Sequence, residues 1–256
     1  MFCNSIIFLF LKQIVKINPH LPIMLFRLIP LLLLGFVSHS TNISATTNNF
    51  TFFEISSTSS KAEEVYNSLY TNSYNLPSIE SFSKALEGYH KLNKKGVFEK
   101  QLLTVIDFSL SANEKRLWII DLTKNEIIHQ TYVSHGRNSG DEYAKKFSNI
   151  PESFQSSLGF YATAEPYFGK HGYSLRLDGL EKGINDKARA RAIVIHGADY
   201  VSESFIAQNG RLGRSLGCPA LSNEESEMII DLIKEKSCLF IYYPSEDYIS
   251  KSSLVS

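Results

Sequence analysis

EKRLWIIDLTKNEIIHQTYV, residues 114–133, decides the fold class. Two apolar runs rich in β-branched and aromatic residues, 116–121 and 126–133, flank a polar break at Thr123, Lys124 and Asn125, which is the pattern of a β-hairpin. Working outward, residues 102–108 read as a further strand, as do the shorter stretches 159–164 and 175–177. Residues 191–195 form a buried-strand pattern that ends at His196, and CLFIYY, 238–243, is a last apolar strand before Pro244. Helical patterns are fewer. They cover 62–70 and 78–95, the second placing Phe82, Leu86 and Tyr89 on one face and stopping at Gly96 after Lys94 and Lys95. Ser222 with Glu225 forms an S-x-x-E capping box that opens an amphipathic helix through Met228, Ile229, Leu232 and Ile233. The expected fold is therefore mainly β, a mixed sandwich or barrel-like sheet. A short N-terminal helical layer covers it, and one helix follows the turn at 213–221.

Composition narrows the function classes. The chain has 256 residues, with 26 Lys+Arg against 26 Asp+Glu, so no basic footprint for nucleic acid is present. A hydrophobic fraction of 43% supplies a real core, and three cysteines are too few for a disulfide scaffold or a four-cysteine zinc site. The first 40 residues differ from the rest: apolar blocks at 6–11 and 28–37 are broken by Lys12, Lys16, Pro19, Pro22, Arg27 and Pro30, so no stable membrane span is expected. From Met24, MLFRLIPLLLLGFVSHS carries a basic residue, an apolar run and small residues at Ser38 and Ser40, as a secretory signal does. Translation is expected to start at Met24, and the product to be exported to the periplasm or cell envelope; an uncleaved N-terminal anchor is the alternative. The expected partition is a leader over 1–40, a polar linker over 41–60, a helical segment over 61–101, the main domain over 102–244 and a polar tail over 245–256. Export removes Cys3 and leaves Cys218 and Cys238 in a compartment that permits disulfides.

The chemistry gathers in AIVIHG, 192–197, and GRSLGCPAL, 213–221. Cys218, between Gly217 and Pro219, sits in a turn just ahead of a helix, and a helix N-terminus stabilises a thiolate. His196 is the candidate base that accepts the thiol proton. Pro219 has no N–H, so an oxyanion hole here draws on the amides of Cys218, Gly217 or Leu216, and Gly217 leaves room for an acyl group. The stretch 134–183 is dense in Gly, Ser, Tyr and His, which suits long loops around a site and makes His135 and His171 cleft candidates. Three alternatives stand beside these readings: a Cys218–Cys238 disulfide, a hydrogen-bonded core role for His196, and a zinc site from His135, His171, His196 and Cys218, for which no short ligand spacing appears.

These motifs resemble those of the L,D-transpeptidases of bacterial peptidoglycan, above all the IHG element at 195–197 and GRSLGCPAL. The resemblance runs from about 102 to 244 and includes SHGRNSG, SSLGFY and GKHGYSLRLDGLE. It implies Cys218 as acyl-accepting nucleophile and His196 as general base, with Ser215 and Gly217 shaping the nucleophile turn. Peptidoglycan stem peptides are the implied partners, and no metal or organic cofactor is implied. The better-known branch of the family has His where Leu216 stands and Arg where Ala220 stands, so carboxylate recognition falls to Arg214 or Arg211. Transpeptidation is the implied reaction; hydrolysis by the same thioester, or a non-catalytic wall-binding role, are the alternatives.

Overall fold

The computed structural model describes residues 55–255, so the expected start at Met24, the signal segment, Cys3 and most of the polar linker lie outside the described residues. Helices α1 (Ile55–Asn67) and α2 (Ile79–Asn93) precede strands β1 (Leu102–Asp107), β2 (Leu117–Asp121) and β3 (Glu126–Thr131). β4 (Gly159–Gly169), β5 (Gly172–Gly179), β6 (Val194–Gly197), α3 (Glu203–Asn209) and β7 (Ala220–Leu221) follow. The described chain closes with α4 (Asn223–Ile233), β8 (Cys238–Tyr242) and α5 (Glu246–Lys251). The eight strands make one mixed sheet in the order β3-β2-β1-β8-β4-β5-β6-β7.

The hairpin read from 114–133 is β2–β3, paired antiparallel from Leu117↔Thr131 to Asp121↔Glu126 with a register shift between Ile119 and Ile120. Its apolar residues face inward: Leu117, Trp118, Ile119, Ile120 and Ile127 are all buried. β8 is the spine. It runs parallel to β1 and antiparallel to β4, and all five of its residues are buried, which is why its sequence is continuously apolar rather than alternating. The sheet nearly closes on itself. Beyond β3 the chain continues beside the turn that leads into β7, where Ser134 N–H donates to the Ala220 carbonyl at 2.9 Å and Gly136 bridges Ser215.

The sheet hairpin β4–β5 is longer than the sequence indicates, reaching from Gly159 to Gly179 around a turn at Lys170 and His171. Its outer half, with Phe168, Lys170 and His171 exposed, leaves the core, so no apolar alternation marks it; the backbone ladder to Gly169↔Gly172 holds it instead. The tail after 245 also looks polar in sequence, yet it forms α5 and packs through Tyr248, Leu254 and Val255. The Tyr248 hydroxyl donates to Glu181 Oε2 at 3.1 Å and Ser252 Oγ donates to Glu181 Oε1, while the same carboxylate accepts from Phe160 N–H at 2.7 Å. At α4, Ser222 caps the helix as the capping box predicts, accepting from Glu225 N–H at 3.3 Å. The Glu225 carboxylate reaches across to Thr131 Oγ1 as well, which ties α4 to the end of β3.

The helical layer rests on α2. Ser78 caps it by accepting from Ser81 N–H at 3.2 Å and donates to Asp107 Oδ2 at 3.1 Å, anchoring the helix start to β1. Phe82, Leu86 and Tyr89 face the sheet, as their spacing predicts. Gly88 allows the approach: a Cβ there would stand 2.0 Å from Phe160 Cζ, a fully buried ring. In an exposed helix Gly→Ala gains about 1 kcal/mol. Here overpacking costs about 1–3 kcal/mol and acts on a ring with nowhere to go. Gly88→Ala is therefore expected to lower the urea midpoint at unchanged m-value, with a smaller loss in a Phe160→Leu background.

Candidate active site

Cys218 lies in the turn that joins the closing edge of the sheet to β7, and its backbone is held from both sides. On one side Ser215 N–H donates to the His135 carbonyl at 3.0 Å and Arg137 N–H donates to the Ser215 carbonyl at 2.8 Å. Within the turn, Ser215 Oγ accepts from Gly217 N–H at 3.0 Å and donates to the Cys218 carbonyl at 2.6 Å. Ser156 Oγ accepts from Gly136 N–H at 3.0 Å and donates to the Gly217 carbonyl at 3.1 Å. Gly217 has φ of 128°, and a Cβ there would meet the Gln155 carbonyl oxygen at 2.9 Å, so only glycine fits. Ser156 was not singled out in the sequence; inside SFQSSLG nothing distinguishes one serine from the next.

The thiol faces the start of β6. Cys218 Sγ accepts from Val194 N–H at 3.5 Å and lies 3.6 Å from the Ala192 carbonyl, which a left-handed Ala192 (φ 53°) turns toward it. Burial pushes the thiol above its ordinary range, opposed by the Val194 N–H and by the Arg191 guanidinium. The helix N-terminus does not supply the donor expected from sequence, because β7 intervenes between Cys218 and the cap at Ser222. His196 sits on β6 in register with Ala220, two residues past Cys218. Its Nδ1 is 2.8 Å from the Gly197 carbonyl; a carbonyl only accepts, so Nδ1 carries the proton and Nε2 has the free lone pair. Burial lowers the His196 pKa, and the ring of His171, stacked on it at 4.2 Å between centroids, lowers it further. Among the described residues no hydrogen bond joins Sγ to the imidazole. The resting pair is thus neutral thiol and neutral imidazole.

The other residues singled out in sequence are placed differently from one another. His171 is exposed in the β4–β5 turn and reaches the site through its stacking on His196. His135 is fully buried, so it lines no cleft; its Nδ1 is 2.8 Å from Arg116 Nη2 and its Nε2 is 3.4 Å from the Gly140 carbonyl. Arg214 Nη1 donates to the Gly140 carbonyl at 2.9 Å and to Asp141 at 2.6 Å, and Arg211 Nη1 donates to the Leu212 carbonyl at 2.9 Å. Arg214 therefore braces the loop over 137–141, to which Arg211 adds an ion pair from Nε to Asp141 Oδ1 at 3.9 Å. Cys218 and Cys238 are free thiols, the latter buried in β8, so the disulfide alternative does not hold. No group of three or more His, Cys, Asp or Glu side chains among the described residues is placed to hold a metal ion.

The L,D-transpeptidase catalytic domain profile matches residues 74–242, which includes β6 and the turn that carries Cys218. The chain belongs to the L,D-transpeptidase catalytic domain family. No curated protein sequence matches it. Solved structures similar to it include an L,D-transpeptidase from Mycobacterium smegmatis, at 14% identity and TM-score 0.34, covering 56% of this chain and 59% of that one. A helical cell shape determining protein from Campylobacter jejuni aligns at 13% identity and TM-score 0.36, over 64% of this chain and 57% of that one. The match thus spans about three-fifths of the length of these structures. Among the described residues of this family member, no helix is long and apolar enough to cross a membrane.

His135 makes acid stability a readout of this architecture. Burial and the Arg116 charge hold its pKa down to about 3 against 6.5 in an unfolded chain. Below pH 6.5 the unfolded state therefore binds a proton that the native state refuses, and stability falls with pH until about 3, by up to about 1.4 kcal/mol per unit. Thermal melts from pH 7 to pH 5 are expected to show this slope, and His135→Gln, which keeps an acceptor for Arg116, to flatten it.

Proposed function

We propose that this chain is an exported cysteine acyltransferase that acts on peptidoglycan stem peptides by L,D-transpeptidation. One observation carries the reading: a glycine-locked turn presents Cys218 two register positions from His196, whose Nδ1–H is fixed on the Gly197 carbonyl so that Nε2 is the free base. Family membership supports the substrate class. Localisation in the periplasm or cell envelope rests on the signal-like segment from Met24.

The reaction starts with a rotation about the Cys218 Cα–Cβ bond that takes Sγ from the Ala192 carbonyl to His196 Nε2. The imidazole removes the thiol proton as Sγ bonds to the carbonyl carbon of an L-residue in the donor stem peptide. The Gly217 amide is committed to Ser215 Oγ, while the Cys218 and Leu216 amides have no acceptor among the described residues and serve as the oxyanion donors. Such donors matter by about 10²–10³ in rate. Collapse of the tetrahedral adduct breaks the bond to the terminal D-amino acid, whose nitrogen takes the proton from His196, and a thioester remains on Cys218. An acceptor amine gives its proton to His196, attacks the thioester and forms the cross-link as the thiol leaves and is reprotonated. Water in place of the amine makes the enzyme an L,D-carboxypeptidase or endopeptidase on the same machinery.

Intact-mass measurement after incubation with a tetrapeptide muropeptide tests this directly. The wild-type chain is expected to gain an acyl adduct on Cys218 and to release the terminal D-amino acid; Cys218→Ala should give neither. Full activity of Cys218→Ala would overturn the nucleophile, and products formed with and without an acceptor amine separate transfer from hydrolysis. A folded wild type with no adduct and no product would favour a non-catalytic wall-binding protein. The pH profile offers a second check. His196 works only when neutral, and its folded pKa lies below 6.5, so the acid limb of kcat/KM is expected below pH 6.5. His171→Ala, which removes the neighbouring imidazole, should move that limb upward.

A further inference from the structure

Arg191 stands beside the nucleophile turn, and its hydrogen bonds go to uncharged groups. Its Nη1 donates to the Ser148 carbonyl and to Ser157 Oγ, each at 2.6 Å, and its Nη2 donates to the Gln155 carbonyl at 2.6 Å and Ser153 Oγ at 3.2 Å. All four acceptors are neutral. Arg189 by contrast pairs with Asp178 and Glu165, and Arg214 with Asp141; Arg116 also makes no salt bridge among the described residues, but its partners are the Val133 and Leu110 carbonyls and His135. Among the described residues no carboxylate forms a salt bridge with Arg191. A half-buried guanidinium without a counter-ion is costly, and an anion formed beside it offsets that cost.

The position of the guanidinium says which anion. Nη2 is 3.5 Å from where a Gly217 Cβ would stand, against the backbone that carries the nucleophile. The ionisable groups that interact with Arg191 are Tyr161 and Cys218. Tyr161 is fully buried, donates its hydroxyl to the Ser157 carbonyl at 2.9 Å, and burial drives its pKa far above neutral, so it stays a phenol. Around the thiol itself, the titratable groups are Arg191 from the turn before β6, His196 on β6, and Tyr200 from the segment after β6, whose phenol is held neutral with its pKa pushed up to about 12. Of these groups Cys218 is the one that becomes an anion in the proposed reaction, when His196 takes its proton.

We propose that Arg191 is a positioning residue of the nucleophile, an uncompensated cation that stabilises Cys218 as thiolate while its four hydrogen bonds fix the wall over 148–157. It rests on the assignment of Cys218 as nucleophile. The sequence hid it: within KARARAIVIHG it is one of two arginines ahead of the strand, and only the fold separates Arg189, on a surface ion pair, from Arg191.

The test is the pH dependence of iodoacetamide alkylation at Cys218, read by peptide mass without any muropeptide present. Arg191→Gln is expected to slow alkylation at neutral pH about tenfold, the equivalent of raising the thiol pKa by about one unit. Arg191→Lys, which keeps the charge, should stay within about threefold of wild type. Ser157→Ala, which removes one loop hydrogen bond and keeps the charge, should leave the thiol profile unchanged. A wild-type profile in folded Arg191→Gln overturns the proposal, as does an equal loss in Ser157→Ala, which would make Arg191 a loop brace only. If Arg191→Gln does not fold, a tenfold loss in folded Arg191→Lys overturns it. Because no substrate enters the assay, a protein inactive on muropeptides can still show the Arg191 effect, and the two readings fail separately.

Discussion

The backbone pairing between residues 134–137 and 215–220 is the constraint on which the rest of the site depends. Three strand-like hydrogen bonds, Ser134 to Ala220, Ser215 to His135 and Arg137 to Ser215, close an otherwise open mixed sheet and at the same time set the path of the chain through Gly217 and Cys218. A sheet that stopped at β7 would leave that short strand as an unpaired edge. With the pairing in place, the turn through Gly217 and Cys218 is gripped between β6 and the chain beyond β3, and the serines Ser156 and Ser215 satisfy the backbone groups that such a sharp turn leaves over. The pairing explains the placement of His135 and Arg116 too. They fill the interior behind the closing segment, where the Arg116 guanidinium donates to the Val133 and Leu110 carbonyls and to His135 Nδ1, and burial holds its pKa down to about 9.

Electrostatics at the site run against charge at rest. Burial raises the Cys218 pKa and lowers that of His196, so both side chains are uncharged at rest. A neutral pair avoids the desolvation cost of a standing thiolate–imidazolium pair in a half-buried cleft. In the proposed reaction charge therefore develops only as the thiol is deprotonated, where pre-oriented amides and a nearby cation act without reorganisation. The strained Ala192 backbone belongs with this arrangement: a non-glycine residue at φ 53° next to Arg191 points its carbonyl at the resting thiol.

Much of this was legible in the residues. The β2–β3 hairpin, the face of α2 built from Phe82, Leu86 and Tyr89, and the Ser222 cap each follow from local periodicity or capping chemistry, which act over a few residues. The outer half of β4–β5 and helix α5 were not legible, because one is held by backbone ladder bonds beneath a polar, glycine-rich sequence and the other by a buried carboxylate, Glu181, far away in the chain. At the site, Cys218 and His196 stood out as residue types in unusual settings. Their neighbours did not: Arg191, Ser156, Arg116 and Tyr200 are ordinary residues in ordinary strings.

By itself the sequence determined the fold class and the family motif, and it singled out Cys218 and His196 as candidates, because apolar periodicity and a cysteine set between glycine and proline are local signals. Only the tertiary structure decided which loop charges are spent and which are free. Arg211 and Arg214, equally plausible on paper, are paired with Asp141 in the loop over 137–141, His135 is sealed inside, and Arg191, which makes no salt bridge among the described residues, stands against the turn at Gly217. The reason is physical: a side chain's partners lie across the sheet from strands distant in sequence, and burial, which sets charge and protonation, exists only once those strands have closed.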